Sequence, residues 1–272
     1  MTGVATRPAA VAGAFYPGEP LVLRRMIADF ISAARPGAEA PPGPVRAVIA
    51  PHAGYVYSGP IAAYSFDALK AAVAPQRVFL MGPAHYVAVP GVALGDYAAF
   101  ATPLGSVPVD AATVAAMLAE QPALYMRALA AHGPEHSLEV ELPFLQTVCP
   151  GVRIVPMLFG RVDPEAVARD LAARLQPDDL VVVSSDLSHY HNYESARALD
   201  ADFLKAVLRD DPAAAADGEA CGVLPILTLM HVARARGWQP VLRDARNSGD
   251  TAGDRWRVVG YASVVYYDRG TH

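Results

Sequence analysis

The sequence predicts one α/β domain over residues 1–272, a mostly parallel sheet flanked by helices, and three observations carry that reading. Short β-branched runs alternate with segments of helical periodicity, the pattern of successive βα units. With 272 residues, 53% hydrophobic and 18% charged, the chain has material for one sizeable core. Three apolar runs also stop at a small-residue turn that delivers a histidine: VRAVIAPHAGYVYSG, RVFLMGPAHY and LVVVSSDLSHYHNY. In open α/β sheets, ligand sites are assembled at the carboxyl ends of the strands.

In chain order, helical spacing falls on 21–34, 62–72, 111–119, 164–175, 195–208 and 222–236. Between these lie strand-like VRAVIA, RVFLMG, VRIVPMLF and LVVVSS, then a late pair, PVLRDAR and WRVVGYASVVYY. The stretch ARPGAEAPPGPV (34–45) reads as a surface loop and not as an interdomain linker, because the segment before it is too small to hold its own core. No repeat at a solenoid period and no low-complexity tail interrupts the pattern.

Composition narrows the function. A net charge of −5 and the lack of a basic stripe argue against a nucleic-acid partner or an anionic membrane surface. No run approaches the ~18 apolar residues of a spanning helix, and MTGVATRPAAVAGAFYPGEP lacks the pattern of a secretory leader. Two cysteines are too few for a disulfide framework, so a cytoplasmic protein is expected. Nucleotide-binding glycine motifs, HExxH, CxxC and GxSxG are absent from the sequence. What remains is a dispersed set of His, Cys, Asp and Glu, the inventory of a mononuclear metal site.

His52 and His85 follow strands of successive βα units, so their side chains can converge at one sheet edge. After LVVVSS come Asp186, His189 and His191. If that turn is helical, the three-residue spacing lets Asp186 orient His189, one of the two histidines then being a general acid–base and the other merely solvated. Asp186 as an N-cap of the following helix is the plainer alternative. PEHSLEVELPFL supplies Glu135, His136, Glu139 and Glu141. Glu139 and Glu141 are two apart, so at least one is expected on the surface, while His136 and Glu139 can share a helical face. Cys221, at a turn entering an apolar helix, is expected to have a lowered pKa, whereas Cys149 reads as a buried thiol. His132, His231 and His272 have no motif around them.

GAFYPGEPLVLRRMI, PHAGYVYSG, GPAHY, EHSLEVELPFL, SSDLSHY and ACGVLPI occur in order across residues 12–266 and resemble the Memo family. Its bacterial members are often named AmmeMemoRadiSam system protein B. The resemblance implies a fold like that of the class III extradiol dioxygenases, which hold non-heme Fe(II) with two histidines and a glutamate. Carried over by motif, His52 and His85 become metal ligands, and Cys221 falls where the dioxygenases have the glutamate. His189 takes the acid–base position and His136 matches another active-site histidine. GPAHY also carries Tyr86 where some relatives have a second histidine.

The family's implied metal is Fe(II), with Cu or Zn as alternatives, since exchanging carboxylate for thiolate softens the donor set. The implied function is a dioxygenase-like redox enzyme acting on a small aromatic or chelating substrate. Two alternatives stand beside it. One is a non-catalytic metal-binding adaptor working with AMMECR-type and radical SAM partners. The other is a metal-free thiol hydrolase pairing Cys221 with His189.

Overall fold

The computed structural model describes residues 5–34, 43–72 and 75–270. Most of the proline-rich loop, residues 35–42, and His272 lie outside the described residues. At the centre, Val45–Ala50, Asp179–Ser184, Arg77–Pro83 and Arg153–Phe159 lie side by side and run parallel. Asp179–Ser184 is buried along its whole length and Arg153–Phe159 is buried after its first residue. Helices on both faces demand such uninterrupted apolar runs. Asp179 is tolerated there because Arg77 pairs with it at 2.5 Å.

The parallel pairing is confined mainly to this centre. Val258–Asp268 runs antiparallel beside Val45–Ala50, and both Trp238–Asn247 and His189–His191 pair antiparallel with it. On the other side, Val92–Leu94 lies antiparallel to Arg153–Phe159 and pairs in parallel with Tyr125–Arg127. A small second sheet joins Thr6–Arg7, Ala99–Thr102 and Gly105–Pro108. These short pieces carry too few residues for the sequence pattern to reveal them.

Helix Pro20–Ala33 buries Leu23, Ile27 and Ile31 at four-residue intervals, and the Glu19 carboxylate caps the amides of Leu21 and Val22. The next helix begins at Tyr55 and ends at Leu69, seven residues ahead of the start the periodicity predicts. Pro60 sits inside the helix. Tertiary contacts fix the earlier start: the Tyr55 amide donates to Phe15 O at 2.7 Å and its hydroxyl donates to Val140 O at 2.7 Å. A Cβ on Gly59 would come within 2.5 Å of the Phe30 ring, so glycine lets these two helices close up.

Helices Ala111–Glu120, Pro164–Arg174, Tyr193–Leu208 and Val223–Arg236 fall within two residues of expectation at each end. The short helices Leu129–His132, Leu142–Val148 and Pro212–Ala216 lie outside it. None of the described helices is long and apolar enough to cross a membrane.

Candidate metal centre

The carboxyl ends of the parallel strands share one edge, since Ala50 pairs with Ser184 and Pro83 with Phe159. His52 lies two residues beyond Val45–Ala50 and His85 two beyond Arg77–Pro83, which brings their ring centroids to 5.3 Å. His136 arrives from the segment before the turn Glu139–Glu141 and stacks on His85 at 4.7 Å. One donor nitrogen from each ring lies within 4.8 Å of the other two.

Every one of these rings is held through Nδ1. His52 Nδ1 meets Ser184 Oγ at 2.7 Å, His85 Nδ1 meets Glu135 Oε1 at 2.9 Å, and His136 Nδ1 meets the Tyr86 hydroxyl at 3.2 Å. Ser184 Oγ has one proton and also contacts Ser137 O at 2.6 Å and Glu141 Oε1 at 2.8 Å. Burial pushes the Glu141 carboxyl well above the usual carboxylate range, so it carries a proton. The network closes when Ser184 donates to Ser137 O and accepts from both Glu141 and His52 Nδ1–H. That tautomer leaves His52 Nε2 as a bare lone pair.

Glu135 organises the other half. Burial alone would raise its carboxyl, but hydrogen bonds from the His85 side chain and from the Ser137 and His85 amides hold it at about 2. Its oxygens accept from His85 N at 2.6 Å and from His136 N and Ser137 N at 2.9 Å each. Burial, then the neighbouring imidazoles His136 and His85, push the His52 pKa well below its ordinary value. Burial and His85, only partly offset by Glu135, bring His136 to about 4. These two rings are neutral donors at neutral pH, the form that binds a metal.

The centre opens into a cleft of about 800 Å³ whose walls include Phe15, Tyr57, Tyr190, Tyr261 and Arg257, together with Asp186 and His189. His189 thus lines the cleft, its pKa lowered by burial. His191 does not, and its Nε2 pairs with Glu219 on the surface at 2.6 Å. Tyr190, between the two histidines, adopts a left-handed φ of 62°, a conformation uncommon for a residue with a side chain.

Several expectations are corrected. The turn after LVVVSS is not helical, and Asp186 neither caps a helix nor orients His189. Its Oδ1 accepts the His52 amide at 2.8 Å, pinning the turn that carries that histidine, and burial pushes its carboxyl up to about 7. Neither Glu139 nor Glu141 is a surface charge, both being fully buried. Glu139 binds Arg7 Nη1 at 2.6 Å and the Tyr16 hydroxyl at 2.6 Å.

Cys221 precedes the helix Val223–Arg236 with Gly222 between them, so its thiol sits outside the first turn. Burial, with Asp186 nearby, pushes that thiol up to about 12 instead of lowering it. Sγ nevertheless lies 3.4 Å from His52 Nε2. Cys149 is buried as expected.

Glu135, Ser184 and Tyr86 are the supporting residues that sequence reading leaves without a role. Glu135 had a signal, a carboxylate directly before His136. Ser184 had none, because it ends an ordinary strand.

A family model described as Memo-like protein matches residues 7–265. The chain belongs to the Memo-like family. An Ignicoccus hospitalis MEMO1 family protein is 35% identical over 96% of this chain and 98% of its own length. A Methanopyrus kandleri relative is also 35% identical, and one from Thermotoga maritima 34%, over similar spans. Among solved structures, an uncharacterized protein of Escherichia coli K12 superposes with a TM-score of 0.53 at 17% identity. It covers 81% of this chain and 99% of its own, a likeness of fold alone.

Proposed function

We propose that this Memo-like protein is a mononuclear, metal-dependent redox enzyme of dioxygenase type acting on a small aromatic or chelating molecule. The observation that carries the reading is the convergence of three imidazoles, each tethered through Nδ1, at the floor of an open cleft. Rings pinned in this way keep their Nε2 atoms for a ligand and present them without rearrangement.

The residues fit a metal ion. His52, His85 and His136 would supply nitrogen donors that lie within 4.8 Å of one another, and Cys221 Sγ lies beside His52. Cys221 Sγ lies 3.4 Å from His52 Nε2, near enough that both would reach one ion held by the histidines. Imidazole with thiolate suits Fe(II), Cu or Zn, and Fe(II) matches the redox reading. When bound, such an ion offers open positions where a chelating substrate and O₂ meet and where a substrate hydroxyl becomes acidic.

The chain's own groups do the rest. Phe15, Tyr57 and Tyr190 line the walls against which an aromatic ring packs, and Arg257 adds a positive charge. His189, uncharged at neutral pH, takes a proton from a substrate hydroxyl on its ring nitrogen. Asp186, with its carboxyl near 7, holds the His52 turn and stands by as a second proton carrier.

Elemental analysis of protein purified without a metal-binding tag, followed by O₂-uptake assays with catechols after anaerobic Fe(II), Cu or Zn loading, tests the proposal. One equivalent of metal, lost in His85→Ala and in His136→Ala, with metal-dependent O₂ uptake, is the expected result. Stoichiometric metal without turnover over the whole series would leave a binding protein and overturn the enzymatic reading. Full metal retention in Cys221→Ser would remove the thiol from the donor set.

A further inference from the structure

We infer that Tyr190 is the specificity-determining residue of the cleft above the three imidazoles, a ring displayed by a strand bulge so that a planar ligand lies beside His189. Its role rests on the reading of that cleft as a site for a small aromatic molecule.

The backbone singles this residue out. Two non-glycine residues among those described take a left-handed φ, Tyr190 at 62° and Asp210 at 54°. Asp210 follows the C-cap of helix Tyr193–Leu208, where left-handed backbone ordinarily ends a helix and aspartate tolerates it. Tyr190 ends no helix. It is the extra residue of strand His189–His191, since His189 pairs with Val259 and His191 with Val258, one position apart on the partner strand. Left-handed bulge positions ordinarily carry glycine, which has no Cβ to strain.

The Tyr190 ring returns little to the fold. It is 62% exposed, with the Arg257 guanidinium 5.0 Å from its centroid and the His189 ring 5.8 Å away at 68°. What the bulge changes is direction. In an unbroken strand successive side chains point to opposite faces, so His189 and His191 would share one face and Tyr190 would take the other. Here His189 and Tyr190 both line the cleft, while His191 is turned aside to Glu219. Bulges beside active sites re-aim side chains in this way. An unfavourable backbone held at a cleft, with little burial to offset it, points to a ligand as the reason for the ring.

That ligand is selected by its ring. A planar ring against Tyr190 gains the offset or edge-to-face contact that an acyclic molecule lacks. A chelating headgroup at the imidazoles does not sense Tyr190. Among ligands that share a chelating head, Tyr190 therefore favours the aromatic ones.

Anaerobic isothermal titration of the purified full chain with 4-nitrocatechol and with acetohydroxamate, a chelator without a ring, tests this. Tyr190→Gly suits the left-handed backbone, so its Tm should equal the parent's or exceed it by up to about 2 °C. The variant should bind 4-nitrocatechol about tenfold more weakly and acetohydroxamate within about twofold of the parent. Tyr190→Phe keeps the ring and should match the parent with both ligands.

Unchanged 4-nitrocatechol affinity in Tyr190→Gly would overturn the assignment, as would failure of the parent to bind 4-nitrocatechol. Equal losses for both ligands would do the same by placing the effect at the imidazoles. A Tm lowered by more than about 2 °C would show that the ring serves the fold instead. A phenylalanine variant as weak as the glycine one would also exclude the ring. Tyr190-dependent binding of 4-nitrocatechol by protein that holds no metal would sink the metal reading and keep this role. Stoichiometric metal without a Tyr190 effect would do the reverse.

Discussion

Replacing Arg7 by Met should destabilise the fold and loosen the candidate metal centre together. Arg7 is 1% exposed, and its guanidinium donates to Glu139 Oε2 at 2.6 Å, His132 O at 2.7 Å, Glu135 O at 2.5 Å and Gly133 O at 3.3 Å. It thereby ties the first described strand to the segment bearing Glu135 and His136. In the variant, Glu139 keeps the amides of Ala10 and Val11 and the Tyr16 hydroxyl, but loses its only cation among the described residues. Breaking a buried pair in this way costs about 3–5 kcal/mol. At about 2.1 cal/mol/K per residue, 272 residues give an unfolding entropy of about 0.57 kcal/mol/K, hence a Tm lower by about 5–9 °C. Differential scanning calorimetry reads this directly. Arg7→Met/Glu139→Leu should be more stable than Arg7→Met alone, because it removes the stranded charge. A loss under about 2 °C for the single variant, or additive losses in the double, would refute the reasoning.

The other predictions concern the site and its surroundings. Glu135→Gln keeps the shape but not the charge that accepts from His85, His136 and Ser137, and should weaken metal binding about 10–100-fold in competition titrations. His132 is buried and bonded to Ala93 O at 3.0 Å, and burial brings its pKa from 6.5 to about 4. Because the unfolded chain takes up the proton first, stability should fall as pH drops from about 6.5 to 4, by about 3 kcal/mol from this group. His132→Gln should flatten that slope in urea titrations by close to one proton, and an unchanged slope would exclude the group. A Cβ at Gly222 would sit 2.6 Å from Ser185 Cβ, so Gly222→Ala should cost about 1–3 kcal/mol and move Cys221 off the strand end.

The scaffold was legible because its central strands are short, mostly apolar and β-branched runs, with Arg46 and Asp179 as exceptions. Val45–Ala50 and Asp179–Ser184 announce a doubly covered sheet before any contact is known. His52, His85 and His189 could be placed for the same reason, since strand ends in parallel sheets share an edge. What escaped reading depends on long-range partners. The apolar segment holding Glu139 and Glu141 gives no sign that Arg7, 132 residues away, and Ser184, 43 away, would take both inside. The misread start of Tyr55–Leu69 has a similar cause: Phe15 and Val140 hold the earlier turn. Cys221 shows the limit of motif chemistry, for a thiol near a helix start is acidic only if water or cations reach it, and here burial and Asp186 prevail.

The arrangement of these groups argues that the fold is shaped around a ligand at this spot. Three imidazoles crowd here with centroids 4.7 to 5.4 Å apart, and burial, then the neighbouring rings, disfavours protonation of His52 and His136. A core selected for stability alone would replace such a cluster with apolar side chains, as it does around Phe66 and Phe144. Instead, Ser184, Glu141, Glu135, Asp186 and the remote Arg7–Glu139 pair all serve to hold the rings or their backbone in place. Such agreement among partners drawn from separate strands and turns is expected where local stability is sacrificed for function. A cation at the centre would convert the mutual repulsion into shared coordination. Metal-free protein should therefore be markedly less stable toward acid than the metal-loaded form, and identical acid titrations of the two would show that the rings hold no ion.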